Sequence, residues 1–223
     1  MQAQDATTLY LLKLWSWFEE NKKAVIAGAA IVIVISFFFW FSSVQRDQKE
    51  TSAGQAFANL MVSPAGESPA AYEKIASDYS GSLGAQRAAL QAAVMLFDQG
   101  NYPDAQTQFQ QFLDANPDSQ FFTQAVLGSA ACQAALGKFD QAIADYKRVL
   151  STAPSGAPEI NAANFAIAGI AESQGRFNDA LTYYENVAAA DVTGTLGAEA
   201  RQRIAVLRTT QPSAAPVATP TGH

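Results

Sequence analysis

The chain has 223 residues, a formal net charge of −6, one cysteine and one histidine. A single cysteine excludes an intrachain disulfide, and a lone histidine, His223 at the last position, leaves little material for a metal centre or an acid–base pair. Residues 1–50 balance five basic groups (Lys13, Lys22, Lys23, Arg46, Lys49) against five acidic ones (Asp5, Glu19, Glu20, Asp47, Glu50), so the whole −6 falls in residues 51–223. An acidic segment without a basic stripe is a poor partner for nucleic-acid phosphates or an anionic lipid surface.

Residues 1–23 form a short polar head, expected in the cytoplasm. Within it Leu11, Leu14, Trp15 and Phe18 recur at helical spacing, which fits an amphipathic stretch in a membrane interface or a slightly apolar tail. No charge occurs between Lys23 and Arg46, and this 22-residue gap contains AVIAGAAIVIVISFFFWF at Ala24–Phe41. About 20 apolar residues of helix span a hydrocarbon core, so residues 24–45 are expected to be one transmembrane helix. Trp15, Trp17 and Phe18 before it and Phe37–Phe41 at its end follow the interfacial aromatic pattern. A cleaved signal peptide fits less well, because the run is long and ends in bulky residues where cleavage needs small ones. Three lysines before the span against Arg46 and Lys49 after it favour a cytoplasmic N-terminus. Ala24 and Gly28 make a small-xxx-small pair that could serve a partner helix.

The next segment, 46–208, is periodic. Gly100-Asn-Tyr-Pro-Asp-Ala105, Gly137-Lys-Phe-Asp-Gln-Ala142 and Gly175-Arg-Phe-Asn-Asp-Ala180 share the pattern G-x-[YF]-x-x-A. The repeat-defining residues are therefore Gly100, Tyr102 and Ala105, then Gly137, Phe139 and Ala142, then Gly175, Phe177 and Ala180. Four residues after each alanine comes a ring (Phe109, Tyr146, Tyr184), and three later Phe112, Val149 or Val187. Pro117 and Pro154 close two of the units. Physically, glycine ends one helix in a left-handed turn, the ring packs across that turn, and the alanine lets two helices approach. Asp104, Asp140 and Asp179 favour the positive start of the second helix, and proline stops it.

This order of Gly, Tyr/Phe, Ala, aromatic and Pro resembles the tetratricopeptide (TPR) repeat over Gln86–Asp191. The resemblance implies an all-α solenoid with first helices at Gln86–Gln99, Thr123–Leu136 and Asn161–Gln174, and Ala93, Ala130 and Ala168 at the helix crossing. The sequence departs from the pattern at Ala89, Val126 and Asn164, where a large aromatic is usual, and in the missing third proline. Gln45–Leu60 and Ala70–Ser80 read as an earlier, degenerate repeat. Leu196–Leu207 reads as a capping helix, with Leu196, Ala200, Arg203 and Leu207 marking its faces. Residues 209–223 (TTQPSAAPVATPTGH) are Pro/Ala/Thr-rich and expected to be disordered.

No nucleophile–base pair can be assembled, and neither a glycine-rich phosphate loop nor Cys/His metal spacing occurs, so no enzyme, cofactor, metal or small-molecule substrate is expected. Cys132, among Ala130, Ala131 and Ala134, reads as a buried structural thiol. The surface left for function is a protein-binding groove. In TPR arrays the first helix of each repeat lines it, which implies Arg87, Leu90, Val94, Phe97 and Asp98 from the first repeat. Gln124, Leu127, Ala131 and Ala134 follow from the second, and Ala162, Phe165, Gly169, Glu172 and Ser173 from the third. Such a lining is small and apolar and would suit a hydrophobic or helical segment. Either a partner or the protein's own terminal helices would cover Leu90, Phe97, Leu127 and Phe165.

A polar head, Trp17-Phe-Glu-Glu-Asn-Lys-Lys23, one span and a degenerate TPR segment together resemble the YfgM-type proteins, ancillary subunits of the bacterial SecYEG translocon. The resemblance covers nearly the whole chain except the tail. It implies an inner-membrane protein with a periplasmic repeat domain, and protein partners: translocon subunits, periplasmic chaperones or exported clients. A scaffold of another envelope complex, in division or cell-wall assembly, is the alternative.

Overall fold

A computed structural model describes residues 2–210, whose elements are helices without a strand. The helices are α1 (Gln2–Met61), α2 (Pro69–Asp78), α3 (Leu83–Asp98), α4 (Tyr102–Ala115), α5 (Phe122–Ala135), α6 (Phe139–Thr152), α7 (Pro158–Ser173), α8 (Phe177–Ala190) and α9 (Thr195–Thr210), with one 3₁₀ turn at Pro64–Glu67. Residues 211–223, most of the expected disordered tail, lie outside the described residues. So do the side chains of Leu11, Leu14 and Ala24, and with them the amphipathic face and the small-residue pair. The chain divides into two units, Met1–Ser52 and Ala53–His223.

In the first unit the apolar run is helical, and its large side chains are exposed from Ile26 to Phe41. Five consecutive bulky residues, Phe37–Phe41, advance by about 100° per residue and so surround the helix. Phe37 stacks on Phe41 with ring centroids 6.2 Å apart and lies 5.8 Å from Trp40. The helix is long and apolar enough to cross a membrane by length and composition.

In the second unit the expected helix pairs are present, and their ends follow from local chemistry. After α3, α5 and α7 the glycines Gly100, Gly137 and Gly175 take φ of 77°, 74° and 72°. Each N–H of Gly100, Gly137 and Gly175 donates to the carbonyl three residues back (Phe97, Ala134, Glu172). The next N–H reaches five back: Asn101 to Leu96, Lys138 to Gln133, Arg176 to Ala171. That is the paired bonding of a Schellman C-cap, made three times. Asp104, Asp140 and Asp179 sit in the first turns of α4, α6 and α8. Two first helices begin earlier than Gln86 and Asn161. Ser82 caps α3 by accepting from the Ala85 N–H at 3.0 Å, and Pro158, preset for a first turn, starts α7.

Each helix from α2 to α9 packs on the next, and α3–α5, α5–α7 and α7–α9 also touch directly. Among the described residues the backbones of α2, α4, α6 and α8 do not approach one another in this way, and Gln108 of α4 reaches Glu73 of α2 through its side chain, donating to Oε1 at 3.0 Å. The odd helices thus form an inner row and the even helices an outer one, which is the geometry of a curved stack. The end of α1 belongs to this unit. Phe57 meets Tyr72 edge-on at 5.6 Å, and a Cβ on Gly84 would come within 2.7 Å of the Ala53 Cβ. The residues read as crossing points are all fully buried: Ala93, Ala130 and Ala168, with Ala105, Ala142 and Ala180 opposite them. Phe109, Tyr146 and Tyr184 fill the space beside them at 2–3 % exposure.

The third repeat ends without proline because Asp191 supplies the stop. Its carboxylate accepts from the N–H of Gly194 and of Gly197, each at 2.9 Å, which turns the chain into α9. The buried face of α9 is Gly197, Ala200, Ile204 and Leu207. Arg203, one of the residues marking the faces of this helix, lies outside the buried face and reaches Glu172 at 3.5 Å.

Candidate functional site

The repeat register determines which side chains of the inner row are open. Positions 37 and 38 residues apart are equivalent, as the three glycines show. Arg87, Gln124 and Ala162 share one position, Val94, Ala131 and Gly169 a second, and Asp98, Ala135 and Ser173 a third. On each helix these fall at i, i+7 and i+11, one face of a 3.6-residue period. None of the nine is buried, and Arg87, Gln124, Asp98, Ala135 and Ser173 are exposed. This stripe runs across α3, α5 and α7, and α9 is in contact with α7 alone of these. Ala135 is the one residue of the stripe that the sequence reading did not place there.

The other expected lining residues face inward. Leu90, Leu127 and Phe165 share a register position that points into the gap between inner and outer helices. Leu90 is 4 % exposed in a cluster with Ala93, Ala105, Phe109 and Phe112. It belongs to the core rather than to a surface, because α3 is flanked by α2, α4 and α5 and keeps only a narrow open face. Leu127 is half-buried against the cluster of α5, α6 and α7. Phe165 is half-buried and meets Tyr184 edge-on at 5.2 Å. Phe97 packs on Tyr102 at 5.1 Å across its own Gly100 turn.

Two charged residues of the expected lining already have partners. The Arg87 guanidinium lies 5.7 Å from the centre of the Phe121 ring, a cation–π distance. Glu172 accepts the Tyr184 hydroxyl at 2.8 Å through one carboxylate oxygen and faces Arg203 through the other. It therefore ties α7, α8 and α9 together. Burial first, then the Glu172 carboxylate, push the Tyr184 hydroxyl well above its ordinary value. Cys132 is fully buried, and burial raises its thiol to about 11. The open stripe is thus small and nearly uncharged across α5 and α7, with Arg87 and Asp98 at its α3 end. What it offers a ligand is shape and backbone contact.

The solved structures it resembles share this architecture at low identity. Two crystal structures of nearly identical TPR-like repeats, ascribed to a Podosopora anserina kinesin light chain, match at 13 % identity. They cover 74 % of this chain and 85 % and 86 % of theirs, with TM-scores of 0.52 and 0.51. BtubC from P. vanneervenii matches at 13 % identity over 74 % of this chain and 66 % of its own, with a TM-score of 0.49. No curated protein matches the sequence. Residues 133–194 match the tetratricopeptide repeat family. Residues 15–159, well over half of the chain, match the tetratricopeptide repeat-like domain, and the chain belongs to that family.

Proposed function

We propose that this chain is a membrane-anchored protein-binding module serving protein export. It is an ancillary translocon subunit or chaperone-adaptor, with residues 1–23 in the cytoplasm, residues 24–45 in the inner membrane and the repeat unit in the periplasm. Domains of the tetratricopeptide repeat kind mediate protein–protein interaction and are typically not catalytic. One observation carries the reading for this chain: the aligned Arg87–Gln124–Ala162 stripe is open among the described residues. The exposed apolar helix of the first unit supports the anchor, and the Lys13, Lys22 and Lys23 flank supports the orientation. Small side chains at Ala131, Ala162 and Gly169 favour close approach by an apolar or helical segment of a client, which would bury apolar area without having to pair charges.

Two measurements test it. A topology reporter fused after Gln211 is expected to be active only on the periplasmic side, and cytoplasmic activity would exclude the export reading. Purification at native expression in mild detergent is expected to recover translocon subunits or periplasmic chaperones. Recovery of division or cell-wall proteins instead would make the chain a scaffold of another envelope complex.

A further inference from the structure

The backbones of the outer helices stand apart, although Gln108 of α4 donates to Glu73 Oε1 of α2 at 3.0 Å, so a cleft opens between each neighbouring pair, floored by an inner helix. Those at α2–α3–α4 and α4–α5–α6 are equivalent by register. Their volumes are about 320 and 350 Å³. Their chemistry differs. The first has an apolar floor of Ala85 and Ala89 with Phe112 on its α4 wall, and an amide rim that includes Gln111 and Gln108, the latter tied to the Glu73 carboxylate. At the positions of Gln108 and Gln111 the second carries Asp145 and Arg148, and Asp114 stands on its α4 side.

The floor of the second cleft also breaks the rule of its neighbours. Ser129, 3 % exposed, lines it where the adjacent repeats have Ala92 and Ile167, and its side chain forms no hydrogen bond to the other described residues. Four residues on, where the neighbours have Leu96 and Ala171, stands Gln133 at 8 % exposure. Its Nε2 donates to Asp145 Oδ2 at 2.9 Å, and its buried Oε1 has no partner. An unsatisfied polar atom at a core position, as at Gln133 Oε1, destabilises a fold, and natural proteins keep such atoms mainly where they serve a function.

The free groups are chiefly acceptors. Asp114 takes one bond, from Gln110 Nε2 at 2.8 Å, leaving its second oxygen, and Asp145 has its Oδ1. The cation of the cleft neutralises neither. Arg148 lies over the Phe122 ring at 5.0 Å, and no ion pair joins it to Asp114 or Asp145 among the described residues. Asp114, exposed, and Asp145, half-buried, flank a slot lined by the Ser129 hydroxyl, an arrangement that suits a cationic, multiply donating group.

We propose that the α4–α5–α6 cleft is a second binding site, which receives a lysine or arginine side chain of a partner protein. The ammonium or guanidinium bridges Asp114 and Asp145 and bonds the Ser129 hydroxyl, and its alkyl stem lies along Leu113 and Val126. By tying down Asp145 the bound cation also fixes the carboxylate that holds Gln133. The site lies on the outer side of the stack, away from the Arg87–Gln124–Ala162 stripe, so either surface can fail without the other.

The full chain in nanodiscs is treated with a carbodiimide and a short peptide, Ac-Gly-Lys-Gly-NH₂. The reagent joins a carboxylate to the lysine amine as an amide with loss of water, and peptide mapping locates it. Coupling at Asp114 and Asp145 is expected at least tenfold above coupling at Asp104 and Asp140, which are exposed as Asp114 is but stand outside the cleft. Excess Ac-Gly-Arg-Gly-NH₂ is expected to suppress it, and Ac-Gly-Gln-Gly-NH₂ to leave it unchanged. The double variant S129A/Q133L, which installs residues of the neighbouring kind, is expected to reduce the preference to background without lowering the melting temperature. D145N alone is expected to cut coupling at Asp114 about tenfold, which reads the site even if the double variant misfolds. Coupling in proportion to exposure, or a preference unmoved by D145N, overturns the proposal.

Discussion

Gly137→Ala and Gly169→Ala make the same chemical change with opposite expected signs. At Gly137 a new Cβ meets nothing within 4 Å, so no neighbour resists it. The cost is local: φ is +74°, and the left-handed conformation costs an L-residue about 1–2 kcal/mol. At Gly169, inside α7, the nearest atom to a new Cβ is the Tyr184 hydroxyl at 3.9 Å, an ordinary contact. There alanine removes the penalty of glycine in a helix and stabilises by about 0.5–1 kcal/mol. Loss of unfolded-chain freedom is the same in both variants and cancels in the comparison. The two should therefore differ by about 1.5–3 kcal/mol, or roughly 3–12 °C in Tm for a unit of this size. Thermal melts by far-UV circular dichroism of the full chain in detergent measure the difference. Trp15, Trp17 and Trp40 all lie in Met1–Ser52, so tryptophan fluorescence provides a control that neither variant should move. Gly137→Asn should recover part of the loss, because asparagine tolerates the left-handed turn. If Gly137→Ala melts with the parent, or Gly169→Ala melts below it, the assignment of these glycines to a cap and to an open helix face is refuted.

Tyr184→Phe removes the hydrogen bond to Glu172 and should cost about 1.5–3 kcal/mol because the acceptor is charged. Tyr183→Phe, in the same melts, should cost far less. Asp191→Ala strips the acceptors of the Gly194 and Gly197 N–H groups and should cost about 1–2 kcal/mol, with faster hydrogen exchange confined to α9. Cys132, with its thiol raised to about 11, should resist iodoacetamide at pH 8 in the folded protein and react once urea unfolds it. Burial also pushes the Tyr146 hydroxyl up to about 12. Cys132 and Tyr146 hold their protons more tightly folded than unfolded. Their contribution is therefore complete below an ordinary thiol value of about 8.5 and is lost as pH rises toward 11 and 12. Urea titrations above pH 9 should show falling stability, and Cys132→Ala should remove the earliest part of that fall.

The architecture was legible because the repeat writes its turn chemistry three times. A glycine that must be left-handed, an alanine that must be small and a ring that must fill the gap are local demands, each visible in one stretch of sequence. Helix starts were less legible: Ser82 and Pro158 lie outside the repeated motif and act through local rules of their own. The site was only partly readable. Positions 87, 94 and 98 and their equivalents could be transferred by register. Leu90 could not, because its burial depends on three neighbouring helices rather than on its own. The polar floor at Ser129 and Gln133 left a signal that alignment of the repeats would have exposed, since Ala92, Leu96, Ile167 and Ala171 occupy the same positions.

One feature of the motif generates both candidate surfaces. The inner helices meet each other through small residues, as the approach of Gly84 to Ala53 shows. The outer helices point Phe109, Phe112, Tyr146 and Tyr184 inward, and these rings act as wedges that hold α4, α6 and α8 apart. A stack narrow on one side and wide on the other must curve. Curvature draws the stripes of α3, α5 and α7 together into one continuous inner surface, and it separates the outer helices into discrete clefts. The inner surface therefore suits an elongated segment that touches every repeat, so its affinity is shared among many small contacts. An outer cleft can admit only a side chain or two, so its specificity rests on the few residues of one repeat. That difference explains why polar groups in a single repeat, Ser129, Gln133 and Asp145, can change the chemistry of one cleft while the register of the whole array stays intact.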